Sequence, residues 1–172
     1  MNFDELKVLG FRHEFELFCA KTGEVVHREV KFNRIPQRAI DFLIQSPFGD
    51  APPINDFYCS LYRNNVLSDA AMTAADLPGV LGEFMEYSET TRPVWERTYN
   101  GAGSYSNADA RAVFTATAQR DIYGSVIVSN PVKGAPDGML LSVVRFATVK
   151  KISPEHPGRL LCGLTYIPTN LL

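Results

Sequence analysis

The side chains able to do chemistry are three histidines, three cysteines and a scatter of carboxylates, and their spacing decides what they can do. His13, His27 and His156 stand apart, and no CxxC or Cys/His pair has the spacing of a zinc site. His156 lies between Glu155 and Pro157 in a turn, and His13 falls on the apolar face of a strand; both read as packed or solvated histidines. A cysteine nucleophile needs an adjacent base and a lowered pKa. His13 and Cys19 are separated along one strand, which gives that pair a poor geometry. No serine sits in a GxSxG turn, so no nucleophile elbow is present. Carboxylate pairs such as Glu14 with Glu16, or Asp109 with Asp121, have no spacing specific to glycoside hydrolysis and read as solvated charge. Asn100 to Gly103 is glycine-rich but leads into no helix, so it is not a phosphate loop. Asp69, Asp76, Asp109 and Asp137 lie in loops without the spacing of a calcium cage. The sequence predicts no catalytic residue, no cofactor and no metal.

The elements that carry these residues are mostly strands. Phe11 to Ala20 and Val25 to Phe32 flank Lys21-Thr22-Gly23-Glu24 and read as a β-hairpin. Pairing Cys19 with Val26, Phe15 with Val30 and His13 with Phe32 gathers apolar side chains on one face and sets Glu14 near Lys31. The same register opposes Glu16 to Glu29, a like-charge pair. Pro36 to Gln45 is the helix: Ala39, Ile40, Leu43 and Ile44 recur at helical spacing, and Pro47 and Gly49 stop it. Phe57 to Tyr62 is a strand with Phe57, Cys59 and Leu61 on one face. Thr73 to Asp76 forms a helical turn ended by Pro78-Gly79, and Tyr99 to Gly103 is a loop or hairpin tip.

Further strands are expected at Val113–Thr117, Ile122–Val128, Leu140–Phe146 and Arg159–Ile167, with a turn at Lys150–Pro157. Short strands at regular spacing, with one helix, predict a mainly β fold: an antiparallel β-sandwich, jelly-roll-like, with an N-terminal β-hairpin and one short helix. Residues 1–49 form the hairpin or arm plus the helix, residues 50–172 the sandwich, and the two read as parts of one compact unit.

Composition narrows the function. A chain of 172 residues with 45% apolar and 21% charged residues is long enough for one packed domain. A net charge of −2 argues against a general nucleic-acid binder, and no Lys/Arg cluster stands out. Three cysteines cannot form a complete disulfide framework and read as buried thiols. Residues 1–16 are charged throughout and lack the apolar core of a secretory signal, and no apolar run is long enough to cross a bilayer. The expectation is a protein made in the cytosol that binds neither nucleic acid nor membrane.

A group of segments then carries a family resemblance. In order they are Leu43-Ile44 at the end of a helix, the strand Phe57 to Tyr62, Thr73 to Asp76, the segment Glu83 to Trp95 (EFMEYSETTRPVW), Ser106-Asn107-Ala108 leading to Val113-Phe114-Thr115, Ile122-Tyr123-Gly124 and Gly138 to Leu141. Together they resemble the head decoration, or cement, proteins of tailed bacteriophages, small β-sandwich virion proteins. The likeness spans about residues 35–167, and E-x-x-x-Y-S-E-x-T-R-P-x-W is its most specific piece. The resemblance implies a capsid-surface protein made in the host cytoplasm. Its partner would be the major capsid protein, on which it would sit as a homo-oligomer, a dimer or trimer. It transfers no catalytic residue. Contact would fall to Phe11 and His13 on the hairpin and to the aromatic side chains Tyr62, Trp95, Tyr99 and Tyr105. A tail or fibre protein binding a host glycan or another tail protein is the alternative, with Trp95, Tyr99 and Tyr105 as stacking platforms.

Overall fold

The computed structural model describes residues 9–33, 35–101 and 103–166. Strand β1 (Leu9–Phe18) alternates strictly: Phe11, His13, Phe15 and Leu17 on one side, Arg12, Glu14 and Glu16 on the other. The first set packs inward, with Phe11 and Phe15 fully buried. Strand β2 (Val25–Phe32) returns antiparallel through a turn in which Gly23 takes φ +73°, a conformation that disfavours side chains with a Cβ.

The observed register differs by one residue from the one the apolar pattern suggests. Phe15 faces Glu29, Glu16 faces Arg28 and His13 faces Lys31. The slip replaces the Glu16–Glu29 repulsion with a Glu16–Arg28 attraction, so cross-strand charge wins over matching apolar residues on β2. Val26, Val30 and Phe32 are left exposed as a result.

Helix α1 (Gln37–Phe48) starts behind Pro36 and runs through Pro47 to a cap at Gly49, one turn longer than its sequence signals suggest. Pro47 lies in the last turn, where its missing N–H removes one bond of the helical ladder, and the helix ends at once with a cap at Gly49. Strand β3 is Tyr58–Tyr62. A capping box on Thr73 and Asp76 opens a 3₁₀ turn at Ala74–Asp76, and one π-turn carries the chain on through Leu77–Leu81. Pro78 and Gly79 therefore sit inside a helical segment, which ends instead at Gly82.

The remaining strands are β4 (Thr98–Tyr99), β5 (Ser104–Ser106), β6 (Ala112–Phe114), β7 (Arg120–Val128), β8 (Leu140–Ile152) and β9 (Gly158–Tyr166). Strand β8 extends into the expected 150–157 turn as far as Ile152, so the turn shrinks to Ser153–His156 and is closed by hydrogen bonds between those two residues.

These strands form two antiparallel sheets, one ordered β2-β1-β9-β5-β4 with β6 also on β9, the other β3-β7-β8. The fold is a mainly β sandwich. The N-terminal hairpin is woven into it, since β1 pairs with β9 over nine consecutive positions from Leu9–Tyr166 to Leu17–Gly158. Short β5 and β6 share one edge of β9, and the buried Asn107 fills the gap between them. Its carbonyl accepts from the Cys162 N–H at 2.7 Å and its amide donates to the Leu160 carbonyl at 3.1 Å.

The main core lies between the sheets, around Phe11, Phe15, Leu61, Phe84, Trp95, Phe114, Ile127 and Phe146. The smaller sheet is covered on its other face too. There Val126, Val128 and Val143 cluster with Tyr62 of β3, Met72, and Leu77 and Leu81 of the helical segment. Near β2 the sandwich is closed by Glu29, which accepts from the Ala147 N–H of β8 and pairs with the buried Lys150.

The Glu83 to Trp95 segment is a staple. Glu83 and Arg92 form a fully buried, two-pronged ion pair at 2.7 Å on each prong. Glu89 accepts from the Thr115 N–H, Tyr87 meets Phe114 edge-on at 5.3 Å, and Trp95 Nε1 donates to the Cys162 carbonyl at 2.9 Å. Each of these side chains holds the fold together.

Candidate functional site

Four of the six residues expected to make contact are inside the protein. Phe11, His13 and Tyr62 have no exposed surface and Trp95 almost none. The reason is that inward positions on β1, β3 and the staple are where large apolar groups remove most surface from water. As placed, these four cannot touch a partner. Trp95 also leaves the proposed glycan platform, because one ring edge is hydrogen-bonded inside and Arg97 lies 5.5 Å over its face.

His13 is the hub of a sealed polar cluster. Its Nδ1 lies 2.8 Å from Ser125 Oγ and its Nε2 lies 2.7 Å from Ser142 Oγ. Asn33 donates to the same Ser142 hydroxyl at 2.7 Å, and Cys162 Sγ lies 3.6 Å from Nδ1. Burial pushes the imidazole pKa down to about 3, so the ring is neutral at physiological pH. Burial likewise pushes the Cys162 thiol up, aided by the adjacent Cys59. A serine, a histidine and a thiol in contact have the ingredients of nucleophilic chemistry, but a nucleophile must meet substrate, and Ser125, Ser142 and Cys162 have no exposed surface. The cluster satisfies buried polar groups between the sheets. Among the described residues no three His, Cys, Asp or Glu side chains gather as metal ligands.

The surface features lie elsewhere. On the outer face of the larger sheet, Glu14 and Glu16 are buried beneath arginines drawn from four segments. Arg12 holds Glu14, and Arg159 holds Glu16, each at 2.5 Å. Arg28 and Arg111 each reach both carboxylates. Burial alone would raise the Glu16 pKa, but hydrogen bonds from Arg159, Arg111 and Arg28 outweigh it and hold the carboxyl at about 2. Both carboxylates are therefore fixed structural counter-ions and not solvated charge. The guanidiniums stay partly open to solvent, Arg28 most of all at 55%. Arg111 and Arg159 also line an open depression of about 530 Å³, with Asp109 and Val113 in its wall. Exposed Val26, Val30 and Phe32 adjoin the cluster on β2, Phe32 at 75% exposure.

A second feature is the hairpin of β4 and β5. Tyr99 and Tyr105 face each other across it, ring centroids 5.0 Å apart, at 53% and 42% exposure.

Sequence reasoning found the tyrosine pair and missed the arginines. The four cations are spread from position 12 to position 159, so no run of charge reveals them. The available signal was the alternation of Arg12, Glu14 and Glu16 on one strand face, which demanded cations opposite. No family model matches this chain, and no curated protein matches it.

Proposed function

We propose that this is a structural protein of a tailed-phage virion, most specifically a capsid decoration protein that binds the outer surface of the assembled shell and stabilises it. One observation carries the proposal. The hairpin-bearing sheet offers a rigid outer face of ordered arginines beside exposed Phe32, Val26 and Val30. Arginine and aromatic side chains are the types enriched where protein interfaces concentrate their energy. The cluster of His13, Ser125, Ser142 and Cys162, by contrast, is turned into the core. A protein that binds the assembled lattice and not free subunits stabilises the shell by mass action, and lattice repetition multiplies a modest interface. The partner in this reading is the major capsid protein, with a dimer or trimer of this chain at each site.

The test is the copy number in purified virions, by quantitative mass spectrometry against the major shell subunit. Hundreds of copies in fixed ratio, and particles lacking the protein that break under heat or osmotic shock, are the expected results. Particles of equal robustness without it overturn the stabilising role.

The exposed Tyr99–Tyr105 pair favours a second reading, a tail or fibre component binding a host glycan, because tyrosine rings presented in this way stack on sugars. A dozen or so copies per virion, with an adsorption defect in Tyr99→Ala, would favour it over the decorator.

A further inference from the structure

We infer that the outer face of the larger sheet recognises an acidic polypeptide segment, with the arginine cluster taking its carboxylates and the β2 strip taking its apolar side chains. The inference deepens the reading above and rests on it for the partner being a protein.

Arg12, Arg28, Arg111 and Arg159 surround two carboxylates, Glu14 and Glu16, leaving a surplus of two positive charges on a protein whose net charge is −2. Asp109, in the wall of the depression, offsets part of that surplus locally. The two glutamates do more than neutralise. Being buried and hydrogen-bonded, they hold the guanidiniums in place, so little side-chain entropy remains to be lost when a partner carboxylate arrives. Each guanidinium has five N–H donors, and partly exposed arginines have donors left to offer.

The apolar half is independent of charge. Val30 and Phe32 share the outward side of β2 with Arg28, the register placing Phe32 opposite Arg12 and Val30 opposite Glu14, and Val26, at the register shift, is exposed as well. Exposed apolar side chains thus flank the cations in one strip, an arrangement suited to a segment that mixes acidic and apolar residues. Two other occupants fit less well. A second copy docking the same face symmetrically would bring arginine cluster against arginine cluster. A nucleic acid demands phosphate contacts along its length, whereas this surplus of two is local and the rest of the chain is net acidic.

The experiment uses the purified full chain and a soluble, fluorescently labelled peptide of about ten residues, mostly Asp and Glu with two Leu, read by anisotropy. Controls are the same peptide with Lys for each acid, inorganic phosphate, and a short DNA oligonucleotide. The acidic peptide should bind, weaken between about 50 mM and about 500 mM salt, and weaken about tenfold in Arg28→Gln and again in Phe32→Ser. Lys151→Gln, at an exposed position on β8, should bind as the parent does. Both patch substitutions fall at exposed positions, and thermal unfolding verifies that the variants are folded. No binding, equal binding of the Lys peptide, or unchanged binding in both patch variants overturns the inference. Displacement by phosphate at matched charge reduces the patch to an adventitious anion site and overturns it as well, as does preferential binding of the DNA. Virion copy number separates the two readings. A chain abundant in virions that ignores the peptide defeats this inference alone, and one absent from virions that binds as described defeats the virion reading alone.

Discussion

Arg92 grips Glu83 with two parallel hydrogen bonds of 2.7 Å, and neither side chain has any exposed surface. The remaining capacity of the pair is also used. Ser60 Oγ and the Gly134 N–H donate to the carboxylate, and the guanidinium donates to the carbonyls of Asn130 and Ala135. The pair thereby joins β3, the staple and the 130–135 loop. Removing one partner of a buried pair leaves a charge in a poorly solvating interior, at a cost of about 3–5 kcal/mol. Arg92→Leu and Glu83→Gln should each lose that much in urea unfolding. Arg92→Lys should not restore it, because an ammonium cannot reproduce the fork. A loss under about 1 kcal/mol for Arg92→Leu would mean the pair is not closed as described.

Acid should unfold the protein in two overlapping stages. His13 has its pKa lowered from 6.5 to about 3 by burial. The unfolded chain takes up that proton below pH 6.5 while the folded chain refuses it, so stability present above 6.5 is lost as pH falls toward 3. One such group contributes a slope approaching about 1.4 kcal/mol per pH unit. Glu16, lowered from 4.5 to about 2, adds a second loss between those values. Denaturation midpoints measured from pH 7 to pH 3 should decline from the first step. His13→Gln should be less stable at pH 7 and should flatten the limb between 6.5 and 4.5. An unchanged slope there would remove His13 as its origin.

Much of the fold was legible because alternation along a strand records which side meets the core. The inward set of β1 and the shared face of Phe57, Cys59 and Leu61 could be read this way, and the glycines of Tyr99–Gly103 marked the turn between Tyr99 and Tyr105. What escaped depends on partners distant in sequence. The β1–β2 register turned on Arg28 facing Glu16, a preference reinforced by Arg111 and Arg159, which belong to other segments. The exposed aromatic expected at Trp95 proved buried because β9 offers it the Cys162 carbonyl. Glu83, Tyr87, Arg92, Trp95 and Asn107, singled out in the sequence, hold strands and loops in place.

Phe114 tests the core between the sheets. It is fully buried on β6, beside the Tyr87 ring. Phe114→Ala should cost about 3–5 kcal/mol, the range for deleting a large core side chain. Phe114→Leu should cost appreciably less, since most of the volume is kept. A loss below about 1 kcal/mol for the alanine variant would place Phe114 outside the packed core.

Tyr62 and Gly124 are cross-strand partners, and the tyrosine ring lies directly over the glycine. A Cβ on residue 124 would sit 2.3 Å from the ring and 2.1 Å from the Val144 carbonyl oxygen. The second contact is with backbone, which cannot rotate away. Gly124→Ala should therefore cost about 3 kcal/mol or more, at the upper end of overpacking penalties. The Tyr62 hydroxyl donates to that same carbonyl at 3.0 Å, so Tyr62→Phe should cost only about 1 kcal/mol. The informative variant combines Gly124→Ala with Tyr62→Ala. If the β8 backbone limits the space, removing the ring leaves the glycine penalty in place, and the two losses add. If the double variant recovers most of the Gly124→Ala loss, the ring alone enforced the glycine, and β8 can move away from β7 at this position.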